Sequence, residues 1–202
     1  AVIHFAGLKS VKDSMIDPLL YWDSNVNGTI NLLKVMEIFK CKTIVFSSSA
    51  TIYGNPKTSP IKETFEIKPL NPYGITKAFI ENILECISKT YNKNWKIINL
   101  RYFNPIGAHE SGIIGEEPLN KPNNLFPYIC LVANGTYKKL NIFGNDWPTL
   151  DGTGVRDYIH VMDLADAHKC AIDYLFNRDS LMLSLNVGTG VGTSVLNLVE
   201  TF

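Results

Sequence analysis

Short apolar runs alternate with longer stretches in which apolar residues recur at three- and four-residue steps. That alternation predicts a β/α order along the chain. Residues 2–5 read as a strand ending at Ala6-Gly7. After Pro18, apolar Val26, Ile30, Leu33, Val35 and Ile38 predict a helix. Residues 43–46 predict a second strand, which opens into Ser47-Ser48-Ser49. Residues 54–72 are rich in Pro, Lys, Thr and Asn and predict a loop. Residues 73–91 predict an amphipathic helix with Phe79, Ile80, Ile83, Leu84 and Ile87 on one face. A third strand over residues 97–100 runs into Arg101-Tyr102-Phe103-Asn104-Pro105, and a Gly-, Pro- and Asn-rich stretch follows to about residue 124. Beyond it, helices are predicted over residues 125–133 and 161–176, strands over 140–143 and 183–187, and a last helix from Val195.

Near-continuous apolar strands separated by helices predict a parallel sheet covered on both faces, an α/β doubly wound architecture. Before about residue 105 the β/α order is strict. After it, long loops alternate with short elements, as expected where a smaller lobe intrudes and the chain later returns to the sheet. The opening Ala1-Val2-Ile3-His4-Phe5 reads as a buried strand, which suggests a truncated start.

Composition narrows the partners. Apolar residues make up 46% and charged residues 19%, the balance of a globular protein. Acidic and basic side chains number 19 each, so no global charge attracts nucleic acid or an acidic membrane. No apolar run reaches the roughly 18 residues of a membrane span, and no secretory leader is visible. Cys41, Cys86, Cys130 and Cys170 lie far apart, form no C-x-x-C pair and sit in apolar or helical contexts. They are expected to be reduced core thiols, neither disulfides nor metal ligands, which points to the cytosol.

Ligands of open α/β sheets bind beyond the carboxyl ends of the strands. Three such ends carry polar or unusual residues: Phe5-Ala6-Gly7 with Lys9, Ser47-Ser48-Ser49, and Phe103-Asn104. Tyr73-Gly74-Ile75-Thr76-Lys77 places a phenol and an ammonium four residues apart on one helix face. A neighbouring cation stabilises a phenolate, so Lys77 is expected to lower the Tyr73 pKa toward that of a general base. A strand-end serine could hydrogen-bond the same substrate oxygen, or simply cap a turn.

These features occur in the order seen in one family. The segments His4-Phe5-Ala6-Gly7-Leu8-Lys9, Ser47-Ser48-Ser49-Ala50-Thr51-Ile52-Tyr53-Gly54, Arg101-Tyr102-Phe103-Asn104-Pro105, Pro122-Asn123-Asn124-Leu125 and the run from Gly152 to Val161 resemble the UDP-glucose 4-epimerases, members of the extended short-chain dehydrogenase/reductase superfamily. The resemblance covers essentially the whole chain. It implies a Rossmann-like fold with its first strands missing, residues 1–104 forming the C-terminal part of an NAD-binding domain. Residues 105–202 would be mainly a partial UDP-sugar-binding lobe, with segments returning to the sheet.

The resemblance also implies roles. Tyr73 is the expected base, Lys77 its partner and a ribose contact, and Ser49 the catalytic serine. Phe5, Ala6, Gly7, Lys9 and Phe103 match the cofactor lining, joined there by Ser49, Tyr73 and Lys77. Lys9, Ser49, Thr51, Tyr73, Asn104, Asn124, Leu125, Asn141, Phe143 and Arg156 match positions that hold a UDP-sugar; the Arg156 guanidinium suits a diphosphate, or pairs with Asp157 at the surface. The implied reaction interconverts UDP-galactose and UDP-glucose through a transient 4-keto sugar with NAD retained. The family commonly forms homodimers through two helices, for which residues 18–39 and 73–91 are the candidates here. His4 and His160 are expected to be structural, His109 and His168 to lie at the surface.

Three departures stand out. The family's G-x-x-G-x-x-G turn and following acidic residue do not occur in these 202 residues, and Gly188-Thr189-Gly190-Val191-Gly192 lacks their spacing. This stretch of chain alone is therefore expected neither to retain NAD nor to turn over substrate. The chain also stops within a predicted helix, and Ser24 stands where some members carry a cofactor-contacting Asn. Related dehydratases and decarboxylases place an acidic residue after the strand-end serine, where this chain has Ala50-Thr51-Ile52. A non-catalytic nucleotide-binding module on the same fold is the rival of another class.

Overall fold

The β/α alternation takes shape as two units in the computed structural model, which describes residues 1–90, 94–116, 122 and 124–202. In chain order the elements are β1 (Val2–His4), α1 (Val11–Ile16), α2 (Pro18–Tyr21), α3 (Gly28–Ile38), β2 (Thr43–Ser49), α4 (Pro72–Thr90), β3 (Lys96–Tyr102), β4 (Asn104–Ile106), α5 (Leu125–Ala133), β5 (Val155–His160), α6 (Val161–Phe176), β6 (Leu181–Val187), β7 (Gly192–Ser194) and α7 (Val195–Thr201). One unit comprises Ala1–Tyr102 and Ala165–Val187, the other Phe103–Leu164 and Gly188–Phe202.

In the first unit β1, β2, β3 and β6 form a parallel sheet in the order β1-β2-β3-β6. Strand alternation divides its side chains between two faces. Ile44 and Phe46 of β2 and Ile97 of β3 pack with Leu33 and Met36 of α3 and Ile80 and Leu84 of α4. Val45, Ile98 and Leu100 face the other way and pack with Ala171 and Leu175 of α6. Helices therefore cover both faces, the doubly wound arrangement that the apolar runs predicted. Each fully buried Leu, Ile or Phe contributes roughly 1.5–3 kcal/mol of hydrophobic stabilisation.

Local chemistry sets the boundaries of α4. Asn71 accepts from Gly74 N at 2.9 Å, and Pro72 occupies the first turn, where a missing N–H costs nothing. The helix continues through Thr90; Tyr91, its expected end, lies outside the described residues. Of the predicted face, Ile80 and Leu84 are buried and Ile83 and Ile87 pack half-buried against the same core, and Phe79 departs from it. Tyr73, Thr76, Lys77, Ile80, Glu81 and Leu84 are buried, while Phe79 is exposed and meets Trp22 edge-on at 5.3 Å. Helical periodicity locates a stripe, but here polar side chains occupy part of it. In α3, Val35 and Ile38 are likewise exposed, and Met36 takes the core position.

The second unit pairs β4 with β5 in parallel and β5 with β7 antiparallel. Its loops close on carboxylates. Asp151 accepts from Thr153 N at 2.9 Å, from Thr153 Oγ1 at 2.7 Å and from Ser194 Oγ. Asp157 accepts from Thr189 N at 2.9 Å, Thr189 Oγ1 at 2.7 Å and Gly190 N at 2.8 Å. The strand expected over residues 140–143 does not form: the segment is irregular, with Asn141 and Phe143 exposed. A short apolar run surrounded by polar residues found no sheet edge to join. The short strands β4, β5 and β7 carry too little alternation to be read from sequence.

Among the described residues no disulfide forms, but Cys86 and Cys170 are exposed, so the core placement expected for all four thiols fails for these two. No described helix is long and apolar enough to cross a membrane.

Candidate active site

Three consecutive serines at the end of β2 point to three different partners. Ser47 and Ser49 share one side of the strand and Ser48 takes the other. Ser47 Oγ lies 3.1 Å from His168 Nε2, and Ser48 Oγ donates to Glu81 Oε1 at 2.5 Å. Ser49 Oγ accepts from Thr51 N at 3.3 Å and from Thr51 Oγ1 at 2.8 Å. Ser49 thus caps the short 3-10 turn at Ala50–Tyr53, and its hydroxyl also acts on Tyr73, where hydrogen bonding from it favours the phenolate. The capping contact and the contact to Tyr73 coexist.

Tyr73 and Lys77 lie one helical turn apart on the buried face of α4, 7% and 5% exposed. Lys77 Nζ donates to Ser47 O at 2.8 Å, sits 4.8 Å from the Phe46 ring centroid and 5.9 Å from that of Tyr73. Burial pushes the Lys77 ammonium down to about 8. It pushes the Tyr73 phenol up to about 12, helped by Tyr102 and opposed by Ser49. A phenol lowered by Lys77, as the four-residue spacing suggested, is therefore not what this state shows. Desolvation is the largest cause, and the influence that opposes it is the Ser49 hydrogen bond.

The turn after β1 is held from below. Asn25, 2% exposed, accepts from Leu8 N at 2.7 Å and donates to Leu8 O at 3.0 Å and to Thr76 Oγ1 at 3.3 Å. Gly7 has φ +154°, and a Cβ there would stand 3.0 Å from Asn25 Oδ1. The backbone of this turn is fixed by an amide that also reaches the helix carrying Tyr73. Asn25 is thus committed to structure, while Ser24 beside it is exposed. Phe5 is 59% exposed and lies 4.6 Å from the His168 ring; Ala6, Gly7 and Lys9 are exposed. His168 itself is 3% exposed, against its expected surface position, because α6 packs its side chain toward Ser47. His4 is buried as expected, with Nε2 2.9 Å from Thr29 Oγ1.

The first unit therefore brings together Ser49, Thr51, Tyr73 and Lys77, with Phe5, Ala6, Gly7 and Lys9 on the turn after β1. The remaining candidates belong to the second unit. Phe103 is half-buried, and a Cβ on Gly188 would stand 2.8 Å from its ring, so this glycine permits a close approach. Asn104, Asn124 and Arg156 are exposed, and Leu125 is half-buried at the start of α5, where Asn124 caps without a side-chain bond. Asn123 of the same motif lies outside the described residues. Arg156 NH1 donates to Val155 O at 2.7 Å, while Asp157 is engaged by Thr189 and Gly190. His160, at the end of β5, accepts from Met162 N through Nδ1 at 3.2 Å, a structural contact at the start of α6.

Sequence reasoning missed Glu81, and it quoted Ser48 and Arg101 within motifs without assigning either a partner. The signal for Glu81 was available: it falls one turn beyond Lys77, a second charge on the same helical stripe.

Comparison with known proteins places this geometry. A family described as the NAD dependent epimerase/dehydratase family matches residues 1–188. UDP-glucose 4-epimerase 2 of Oryza sativa subsp. japonica is 57% identical over 203 aligned residues, covering 100% of this chain and 50% of that protein. A crystal structure of a UDP-glucose-4-epimerase from Stenotrophomonas maltophila, with bound NAD and formylated UDP-arabinopyranose, superimposes with a TM-score of 0.94 at 49% identity, over 98% of this chain and 59% of that one. The Bifidobacterium longum UDP-glucose 4-epimerase in complex with NAD+ and UDP gives 0.93 at 49% identity, over 98% and 59%. The chain spans about half the length of the curated relatives it matches. With the match running through the serine-bearing strand, the Tyr73–Lys77 helix and the returning strand β6, the chain belongs to the NAD dependent epimerase/dehydratase family.

Proposed function

We propose that the protein containing this chain is a UDP-glucose 4-epimerase that interconverts UDP-galactose and UDP-glucose through a transient 4-keto sugar, with NAD as its retained cofactor. The observation that carries this is the buried grouping of Ser49, Tyr73 and Lys77 at the carboxyl end of a parallel sheet, in a chain 57% identical to a protein of that name.

The residues fit the cofactor. Among the described residues the Lys77 hydrogen bond goes to Ser47 O, which takes one of three ammonium protons and leaves two donors suited to a ribose diol. Gly7 supplies a turn without a Cβ beside Phe5. When bound, NAD supplies reversible oxidation at the sugar C4′ and, in its oxidised form, a positive charge. Tyr73 takes the proton of the 4′-hydroxyl and returns it after the sugar has turned over. Ser49 orients that hydroxyl through its own Oγ, and Thr51 holds the Ser49 side chain. Because burial leaves the phenol at about 12, Lys77 alone does not make Tyr73 a base at neutral pH. A bound oxidised nicotinamide would add positive charge near the phenol and favour its ionised form, with Ser49 hydrogen bonding acting in the same direction. Phe103 is assigned to the cofactor lining, and Asn104, Asn124, Leu125, Asn141, Phe143 and Arg156 to the sugar nucleotide, Arg156 to its diphosphate. A homodimer through helices at residues 18–39 and 73–91, in the cytoplasm, completes the reading; exposed Val35, Ile38 and Phe79 support it.

The test is to incubate the full-length protein with UDP-galactose and identify the product. UDP-glucose is expected. A keto-deoxy sugar would instead assign a dehydratase, and NAD binding without turnover a non-catalytic module.

A further inference from the structure

Ser48 and Arg101 are direct neighbours in the β2–β3 register, and both face α4. There they meet one carboxylate. Arg101 donates to Glu81 from Nε at 3.0 and 3.1 Å and from NH2 at 2.6 Å, a two-pronged contact. Ser48 Oγ donates to the same carboxylate at 2.5 Å. Arg101 then reaches out of the sheet: NH1 donates to Tyr53 Oη at 2.8 Å and to Glu63 O at 3.2 Å. Tyr53 Oη in turn donates to Asn186 Oδ1 at 2.7 Å, and Asn186 Nδ2 donates to Ile61 O at 2.9 Å. Glu81, Arg101 and Ser48 are 4%, 5% and 0% exposed.

A buried ion pair is a weak source of stability, since desolvation consumes much of its attraction. What this pair does geometrically is specific. Its carboxylate stands on α4 one turn beyond Lys77 and two beyond Tyr73. Through Ser48 it grips the residue before Ser49, and through Arg101 it grips Tyr53, the last residue of the turn that Ser49 caps. The serine is thus clamped on both sides to the helix that carries the base and its lysine.

We propose that the Glu81–Arg101 pair is a positioning device for Ser49, holding the serine-bearing strand end in register with Tyr73. Neither member touches the reacting atoms. The inference rests on the reading of Ser49 as the serine that orients the sugar hydroxyl. Misplacement of a reacting group by about 1 Å costs on the order of 100-fold, so loosening the clamp should slow turnover without weakening substrate binding.

The experiment is a double-mutant cycle in the full-length enzyme, with UDP-galactose turnover as the readout. Ser48→Ala and Glu81→Gln are each combined with Ser49→Ala. With Ser49 present, each clamp variant is expected to lower kcat by on the order of 10- to 100-fold with KM changed by less than about twofold; with Ser49→Ala, the same variants are expected to change kcat by less than about twofold. Ser48→Thr, which keeps the hydroxyl, should restore most of the rate. Equal losses in both backgrounds would reduce the pair to a scaffold and overturn the proposal alone. A Ser49→Ala enzyme running at the normal rate would overturn both the proposal and the reading beneath it. Should Glu81→Gln fail to accumulate as folded protein, Tyr53→Phe, which loses only the Tyr53 hydroxyl bonds, takes its place in the cycle under the same criteria.

Discussion

Among the described residues, all of the largest fully buried side chains lie in the first unit, among them Phe46, Ile44, Leu84 and Leu100, closed in by helices on both sides of the sheet. The second unit leaves Phe143, Trp147 and Ile113 exposed and holds its loops through Asp151 and Asp157. The residues proposed for chemistry and for recognition divide the same way. Tyr73, Lys77 and Ser49 occupy the dry unit, where burial shifts two of them far from their ordinary pKa values. The residues assigned to sugar-nucleotide contact in the second unit stand mostly on exposed, polar loops. A reaction that moves a proton at a fixed point uses a rigid, desolvated support, whereas recognition of a flexible polar ligand uses side chains that face water before it arrives.

The contrast can be tested at several points. Tyr73→Phe in the complete enzyme should lower kcat for UDP-galactose by roughly 10²- to 10⁴-fold, as loss of a general base does, with thermal stability changed by less than about 1 kcal/mol; steady-state kinetics and calorimetry read both. Leu84→Ala should cost about 2–5 kcal/mol in denaturant unfolding, while Phe143→Ala should stay within about 0.5 kcal/mol, although the side chain removed is larger. Equal costs would show that the second unit is packed as tightly as the first.

Lys77→Met should act in the opposite direction. The folded-state pKa of Lys77 lies at about 8, below its ordinary 10.5. Below pH 8 both folded and unfolded states carry the proton, and the folded state bears the full cost of the buried charge. Between pH 8 and 10.5 the unfolded chain binds more protons, so stability rises with pH in that window. Removing the charge should therefore stabilise the cofactor-free enzyme by about 1–2 kcal/mol at pH 7, less than the roughly 3 kcal/mol the shift alone implies, because the Ser47 contact is lost as well. The gain should shrink toward pH 10.5, and activity should be lost throughout. Melting temperatures of both proteins across pH 7–10.5 would show it; a less stable variant at pH 7 would mean that the ammonium stabilises its own site.

Much of the first unit is legible in the order of its amino acids. Short apolar runs mark β1, β2, β3 and β6; both faces of β2 and β3 are buried, and their buried polar residues Ser48, Asn99 and Arg101 are held by hydrogen bonds. The four-residue step from Tyr73 to Lys77 puts both on one side of α4, since helical geometry is local. The second unit is less legible. The segment Leu140-Asn141-Ile142-Phe143 looks like a short strand, yet whether it pairs depends on a neighbour far away in sequence. Phe79 looks like core because periodicity assigns a stripe without saying which neighbouring element fills it.

The sequence by itself settled what nearest neighbours along the chain can settle: the β/α order, the serine run at a strand end, and the Tyr73–Lys77 pairing. Only the tertiary structure decided that Tyr73 is held at about 12, that His168 is buried against Ser47, and that Glu81 joins Ser48 to Arg101. Desolvation and ion pairing depend on which distant segments close over a side chain, and that is fixed by strand register and helix packing, which no local pattern of residues contains.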